Sequence, residues 1–251
     1  MNNLVLRIAS AAVLLPGVIA AFIAGGWWLR GLVLAAAYIG LFEYGRIVAK
    51  ESVRDRATLM IAGGVATTVS LLVESTTISI LVLQLACMAI ASVFVLRPGD
   101  LTTAWKRLGI LAFGVIYIGL GVACVARLRD LGDAHVGAGQ GGYILVAFTA
   151  TWANDTCAYF AGRAFGKHKM SASISPKKTW EGFAGGLVGT LVFLLVGRVL
   201  FPVVFFDISV LDMILVAVPA SFLGPMGDLA ESMLKRGYDV KDSGNIIPGH
   251  G

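Results

Sequence analysis

The chain has 251 residues, of which 57% are hydrophobic and 14% are charged, and its formal net charge is +5. A soluble globular domain carries roughly 25% charged residues, so this composition excludes an ordinary soluble protein and indicates an integral membrane protein. We attribute the positive charge to loop lysines and arginines that set membrane topology. No nucleic-acid partner is therefore expected.

The apolar stretches predict an all-α, polytopic bundle of about eight transmembrane helices. About 20 apolar residues cross the hydrocarbon core as a helix, and helices satisfy their own backbone hydrogen bonds. The first stretch is long and is followed by further apolar sequence, so we expect an uncleaved span rather than a signal peptide. The predicted spans are Leu4–Gly25, Trp27–Ile47, Thr58–Val73, Ile78–Leu96, Leu108–Ala126, Gly142–Gly162, Trp180–Leu200 and Val210–Lys235.

Lysines and arginines are distributed asymmetrically along these spans. If the N-terminus is cytoplasmic, only four of the 20 fall on the other side: Arg30, Arg127, Arg129 and Arg198. Cytoplasmic loops carry an excess of these residues, so the asymmetry supports both the number and the direction of the crossings. We expect a bacterial-type inner (plasma) membrane, with the N-terminus and the active site on the cytoplasmic side.

The residues that suggest chemistry are concentrated in the second half of the chain. We therefore divide the sequence into scaffold helices over residues 1–130, which offer a surface for dimer contacts, and a catalytic transmembrane region over 131–251. In the first half, Glu43 lies among apolar residues beside Tyr44 and Arg46. We expect Glu43 to be an interfacial acid that pairs with a nearby arginine.

Asn154 and Asp155 interrupt the sixth predicted span. An acid inside a transmembrane segment is costly to bury, so Asp155 should face a partner, a metal ion or water rather than lipid. Thr151 and Tyr159 lie four residues to either side of Asp155 and extend a polar stripe along one helix face. An aspartate paired with an arginine inside a packed bundle is the alternative interpretation.

The loop Arg163–Thr179 is the most basic segment of the chain. Ser175 followed by Pro176 predicts a helix N-cap and the first helical position. Lys177 and Lys178 would then lie in the first turn, where free N–H groups and the helix dipole favour an anion such as phosphate. The alternative is an ordinary positive-inside loop.

The glycines behind this loop, Gly182, Gly185, Gly186 and Gly189, predict a helix-packing face rather than a phosphate loop.

The eighth span carries acids near its cytoplasmic end. Asp228, Glu231 and Lys235 have the spacing of one helix face. At about 1.5 Å per residue, Asp155 and Asp228 each lie on the order of 10–12 Å below the basic boundary of their own span. With Glu181, these acids and the lysine-rich loop belong to one cytoplasmic-side layer. Oxygen ligands beside lysines fit Mg²⁺ that holds phosphate groups.

The segment Ser232–Gly251 has the pattern S-x-L-K-R-x4-K-D-x-G-x3-P-x-H-G. It closely resembles the C-terminal pattern of phosphatidate cytidylyltransferases, also called CDP-diacylglycerol synthases. Trp152–Tyr159, the Gly166-Lys167 step and Ser175–Gly182 resemble further segments of that family. The resemblance implies that CTP and phosphatidate give CDP-diacylglycerol and pyrophosphate, with Mg²⁺, and it implies a homodimer. We also expect a second cation beside Mg²⁺. The family pattern continues past His-Gly into more acids and a ninth span, so we expect a fragment or a chain that lacks those acids.

In that reaction the lipid phosphate attacks the α-phosphate of CTP. The protein must neutralise charge and hold an in-line geometry, and no general base is needed because the attacking phosphate is already ionised. The predicted catalytic residues are Asp228, Asp242, Lys235, Lys241 and His250; the predicted substrate-binding residues are Asn154, Lys167, Ser175, Lys177, Lys178, Thr179, Arg236 and Ser243; the predicted metal ligands are Asp155, Glu181, Asp228, Glu231 and Asp242.

Two other function classes stay open from the sequence. A CTP-dependent polyprenol or phytol kinase uses similar acids and lysines, but its alcohol acceptor needs a base and its nucleotide product is CDP. An ion-coupled transporter would place acids near the membrane midplane and broken helices in both halves. Here the acids cluster toward one side and in one half of the chain.

Overall fold

The structure is a computed structural model that describes residues 3–73, 75–97, 99–136, 142–202, 209–244 and 246. It confirms an all-α polytopic membrane architecture, to which a short β-hairpin is added. A π-helical segment, Val115–Leu120, connects the fifth and sixth helices without a break. The helices are α1 (Asn3–Ala24), α2 (Gly26–Val48), α3 (Val53–Leu72), α4 (Thr76–Leu96), α5 (Leu101–Gly114), α6 (Gly121–Val136), α7 (Gly142–Phe165), α8 (Trp180–Leu200) and α9 (Val210–Gly237).

Helices occupy all eight predicted spans, but they differ in how well they suit a bilayer. Within the described ranges, five are long and apolar enough to cross a membrane: Gly26–Val48, Thr76–Leu96, Leu101–Leu131, Trp180–Leu200 and Val210–Gly237. The helices α3 and α7 are not among them, since charged or amide side chains interrupt both, and α1 contributes only a shorter apolar stretch, Ala12–Ala24. The number of eight crossings therefore stays a prediction.

The chain divides into two compact units. The first comprises Met1–Asp130 together with Asp242–Gly251, and the second comprises Leu131–Lys241. The first boundary between the units falls after Asp130, and the division into a scaffold region and a catalytic region stays a prediction. The residues from Asp242 onward group with the first unit, whereas the predicted division placed them with the second.

Arginines in the first unit bond to the carbonyl groups at helix ends. Arg129 is only 1% exposed, and its guanidinium donates to the carbonyl oxygens of Phe22 at 2.8 Å and Ile23 at 3.1 Å. Arg127 similarly donates to the Ser70 carbonyl near the end of α3, at 3.1 Å. The last carbonyls of a helix have no partner within the helix, so these arginines stabilise the ends of α1 and α3.

A buried ion pair links α3 to α5. Asp55 is 2% exposed, and Arg107 Nε donates to its Oδ2 at 2.6 Å. The same guanidinium donates to Ser52 Oγ at 3.0 Å and lies 5.4 Å from the ring centroid of Phe94. A buried charge is tolerated when a partner and further hydrogen bonds compensate it, and Arg107 provides both.

In the second unit, α7 packs closely on α8. A Cβ at Gly186 would overlap the Asn154 side chain, and one at Gly189 would overlap the side chain of Cys157. The glycines of α8 therefore allow the two helices to approach, as their spacing predicts. Apolar side chains from α7, α8 and α9 form a common core: Val146, Ala150, Leu194, Met213 and Ala217.

The basic loop before α8 folds as a hairpin. Strand β1 (Lys169–Ser171) pairs antiparallel with strand β2 (Ser175–Thr179). The N-cap of α8 is Thr179, whose side chain accepts the Gly182 N–H at 3.1 Å. The predicted helix start at Ser175 is therefore wrong. Proline favours an extended residue before it and is compatible with a short edge strand, so the Ser-Pro pair did not discriminate between the two structures.

Candidate active site

The second unit contains a cavity of about 520 Å³. Its walls come from α7, the β-hairpin, α8 and α9, so residues far apart in sequence meet there. Acidic side chains approach from the helices and basic side chains approach mainly from the hairpin. The polar and aromatic lining residues are Asp155, Tyr159, Arg163, Lys169, Ser175, Lys177, Lys178, Thr179, Phe183 and Asp228.

One face of α7 supplies its polar wall. Asp155, Tyr159 and Arg163 recur every four residues and therefore lie along the same side of the helix. Arg163 Nη1 donates to the Tyr159 hydroxyl at 3.1 Å, which orients both side chains. Asp155 is exposed and faces the cavity, as the cost of burying an acid in lipid requires.

Lys178 connects the hairpin to α9 at the cavity. Its ammonium donates to Asp228 Oδ2 at 2.9 Å and to the Pro225 carbonyl at 3.1 Å. Its side chain is 24% exposed, whereas that of Asp228 is 59% exposed. The Lys178 ammonium is thus bonded to Asp228, one of the two carboxylates that line the cavity. The other carboxylate, Asp155, lies on α7.

The hairpin is fixed to the start of α8 by Glu181. Its Oε2 accepts the backbone N–H groups of Lys167 at 3.0 Å and His168 at 3.2 Å. Its Oε1 lies 2.5 Å from His168 Nδ1, and the Trp180 N–H donates to the His168 carbonyl at 2.9 Å. These bonds set the position of β1 and β2, and so of the lysines that they carry.

The sequence profile described as the cytidylyltransferase family matches residues 5–251. The chain belongs to this family. It is 40% identical over 154 residues to the phosphatidate cytidylyltransferase of Bacillus subtilis (strain 168), a match over 60% of this chain and 53% of that protein. It is 42% and 44% identical over 137 residues to the phosphatidate cytidylyltransferases of Staphylococcus saprophyticus and Staphylococcus haemolyticus, over 55% of this chain and 48% of each. The chain thus spans about half the length of the curated relatives it matches.

Of the metal ligands predicted for this cytidylyltransferase-family chain, Asp155 and Asp228 line the cavity. Two of the other predicted acids, Glu181 and Glu231, bond to groups of the protein instead. Glu181 holds the hairpin, and Glu231 accepts Lys235 Nζ at 3.0 Å along α9. In the described residues, no three acids, histidines or cysteines converge as a metal-binding group.

The predicted substrate-binding residues divide in the same way. Ser175, Lys177, Lys178 and Thr179 line the cavity. Asn154 is 1% exposed and packs instead against the glycine face of α8, so the structure does not place it on the cavity wall.

Lys167 contributes a backbone N–H to Glu181, and its side chain is exposed. Arg236 and Lys241 are exposed at and beyond the end of α9. Asp242 and Ser243 belong to the first unit, and the predicted His250 lies outside the described residues.

The cavity also includes residues that the sequence analysis left out of the site. Arg163 was assigned to the loop, although its spacing from Asp155 and Tyr159 already placed it on the same helix face. Lys169 and Phe183 reach the cavity through the hairpin and the start of α8. Only the strand pairing brings Lys169 there, and nothing in the local sequence signals that pairing.

Proposed function

We propose that the chain transfers a cytidylyl group from CTP to phosphatidate, giving CDP-diacylglycerol and pyrophosphate. The observation that carries the proposal is that Asp155 and Asp228 line the same cavity as the lysines of the hairpin. An opposed set of carboxylates and lysines suits a reaction between two phosphate groups. The relatives named phosphatidate cytidylyltransferase support the choice of reaction.

The cavity residues fit Mg²⁺, which proteins bind through one or two carboxylates while the ion keeps several waters and shares substrate phosphates. Asp155 and Asp228 would hold it, since both line the cavity. In the described residues no third acid, histidine or cysteine joins them, which leaves the remaining coordination positions to water and phosphate oxygens. Bound there, the ion would neutralise charge on the reacting phosphates. We also propose a second cation at the same site.

The lysines serve the same purpose from the other wall. Lys169, Lys177 and Lys178 line the cavity, and ammonium groups there offset the repulsion between two phosphate anions. An oxygen of the lipid phosphate forms the new bond to the α-phosphorus of CTP. The bond from that phosphorus to the β-phosphate oxygen breaks, and pyrophosphate leaves with the electron pair. The attacking oxygen is already ionised, so no side chain has to remove a proton.

Lys178 has a distinct part in this mechanism. Without substrate its ammonium bonds to Asp228 and to the Pro225 carbonyl. An entering phosphate would compete with Asp228 for that ammonium, and the released carboxylate would then be able to hold a metal ion. The hairpin would therefore couple binding of a phosphate to release of the Asp228 carboxylate from Lys178.

The reaction would take place at the cytoplasmic side of a membrane. We infer a plasma membrane with the N-terminus and cavity on the cytoplasmic side, because lysine and arginine are concentrated in the segments assigned there. Phosphatidate would then come from the membrane itself. A homodimer is also proposed from the family resemblance, and light scattering of the purified chain in detergent tests it.

The activity is tested with radiolabelled CTP and phosphatidate in detergent micelles, with and without Mg²⁺. We expect label in a lipid product together with pyrophosphate, both dependent on Mg²⁺ and both lost in Asp228→Asn. Release of CDP with a phosphorylated alcohol would instead identify a kinase. Absence of any CTP-dependent product from folded protein would contradict the proposal.

A further inference from the structure

The carboxylate of Glu43, in the first unit, contacts the segment that follows α9. Glu43 is a half-buried residue of α2, and its Oε1 accepts the backbone N–H of Ile246 at 3.3 Å. The backbone of Gly244 lies so close to the same carboxylate that a Cβ there would overlap it. Within the described residues no arginine bonds to Glu43, so the arginine pair expected from the sequence is wrong for this part of the chain.

An acceptor at this position has a clear physical use. The segment from Lys241 to Gly244 has no regular secondary structure, so its backbone groups lack the partners that a helix or sheet would supply. A carboxylate is a strong acceptor for a backbone N–H. Glycine at 244 permits the close approach. The hydrogen bond and the glycine contact both involve the Glu43 carboxylate, and together they attach this segment to α2.

The attached segment carries Asp242 and Ser243, for which the family resemblance implies a part in the reaction. We propose that Glu43 is a positioning residue that fixes Asp242–Gly244 and Ile246, and that the reaction depends on this placement. The inference rests on the proposed cytidylyl transfer for its functional part. The attachment itself is independent of any activity.

Two substitutions at Glu43 distinguish the effect of losing the hydrogen-bond acceptor from the effect of losing the negative charge. Glu43→Gln keeps the size and one oxygen acceptor, so the segment should stay in place. Glu43→Ala removes the acceptor. Gly244→Ala should be harmful in the wild-type background, where the new methyl group meets the carboxylate, and less harmful in Glu43→Ala, where that space is free. Effects of two substitutions that are not additive in this way are expected of residues in contact.

Hydrogen–deuterium exchange of the whole chain in detergent measures the attachment directly. In Glu43→Ala we expect the Ile246 amide to exchange about tenfold faster, as loss of a charge-assisted hydrogen bond implies, and in Glu43→Gln the rate should stay within about threefold of wild type. Tyr44→Phe is the matched control, since it removes the neighbouring bond to the Ile110 carbonyl and should leave this amide unchanged. Equal exchange in Glu43→Ala and wild type would overturn the inference.

Turnover then tests the positioning role. Glu43→Ala should lower kcat by at least about tenfold, with little change in the KM for CTP or in Tm. Glu43→Gln should retain most of the wild-type kcat. Equal harm from Gly244→Ala in both backgrounds would contradict the proposal. If wild-type protein forms no CDP-diacylglycerol while the exchange results hold, the proposed function fails and the attachment stands.

Discussion

Replacing Lys178 with methionine should separate stability from activity. The ammonium bonds to Asp228 at 2.9 Å, but the Asp228 side chain is 59% exposed. Exposed ion pairs contribute about 0–1 kcal/mol to stability, so we expect Tm to change by only a few degrees. Loss of one preorganised charge on a reacting phosphate typically costs about 2.7–4 kcal/mol, so kcat/KM should fall about 100- to 1,000-fold.

The assay compares thermal unfolding and CTP-dependent lipid labelling for Lys178→Met, Lys178→Arg and wild type. Lys178→Arg should recover part of the activity, because its charge remains while its geometry differs. Lys106→Met is the control: it removes an exposed positive charge from α5 in the first unit and leaves the cavity untouched. Normal turnover in Lys178→Met would refute the reasoning, and so would a loss of activity that merely follows unfolding.

Three further predictions concern other contacts. Asp228→Asn should reduce turnover at least about 100-fold in protein that still folds; near-normal turnover would remove this acid from the site. Arg107→Ala should destabilise the first unit by about 1–3 kcal/mol, because the buried Asp55 loses its hydrogen-bonded partner and keeps only Arg54, whose Nε lies 3.6 Å from its Oδ1; denaturant unfolding measures the change, and an unchanged free energy of unfolding would argue against this ion pair. Gly189→Val should cost about 1–3 kcal/mol, because its side chain would overlap Cys157 and push α7 from α8; unchanged Tm would contradict that packing.

The sequence alone was enough to predict that Asp155 and Asp228 lie close to each other. Asp155 and Asp228 interrupt apolar spans at similar distances from basic boundaries, and the structure brings both to one cavity. The reasoning needed only a fixed rise per residue and the cost of exposing an acid to lipid. Both quantities are local to a helix, so no knowledge of the tertiary fold was required.

The hairpin could not be predicted in the same way. Ser175 and Pro176 satisfy the pattern of a helix start, yet pairing with β1 holds them extended, and Thr179 becomes the N-cap instead. Strand pairing depends on the partner strand rather than on the local sequence. The same limit applies to Glu181: an acid near a helix start can bind a metal ion or accept loop N–H groups, and here Lys167 and His168 donate to it.

Contacts between segments that are distant in sequence could not be predicted either. Glu43 has apolar neighbours in sequence, which suggested an arginine partner, but its described hydrogen bond comes from a residue 203 positions away. Gly244 likewise gave no signal by itself, because a glycine in a polar segment is ordinary turn chemistry.

Binding of Mn²⁺, used in place of Mg²⁺ and followed by electron paramagnetic resonance in the presence of CTP, tests most directly whether carboxylates from α7 and α9 hold one ion. We expect Asp155→Asn and Asp228→Asn each to weaken Mn²⁺ binding at least about tenfold. The double variant should be little weaker than the poorer single variant, because the two acids act on the same ion. Wild-type affinity in either single variant, or fully additive losses in the double variant, would contradict a shared site.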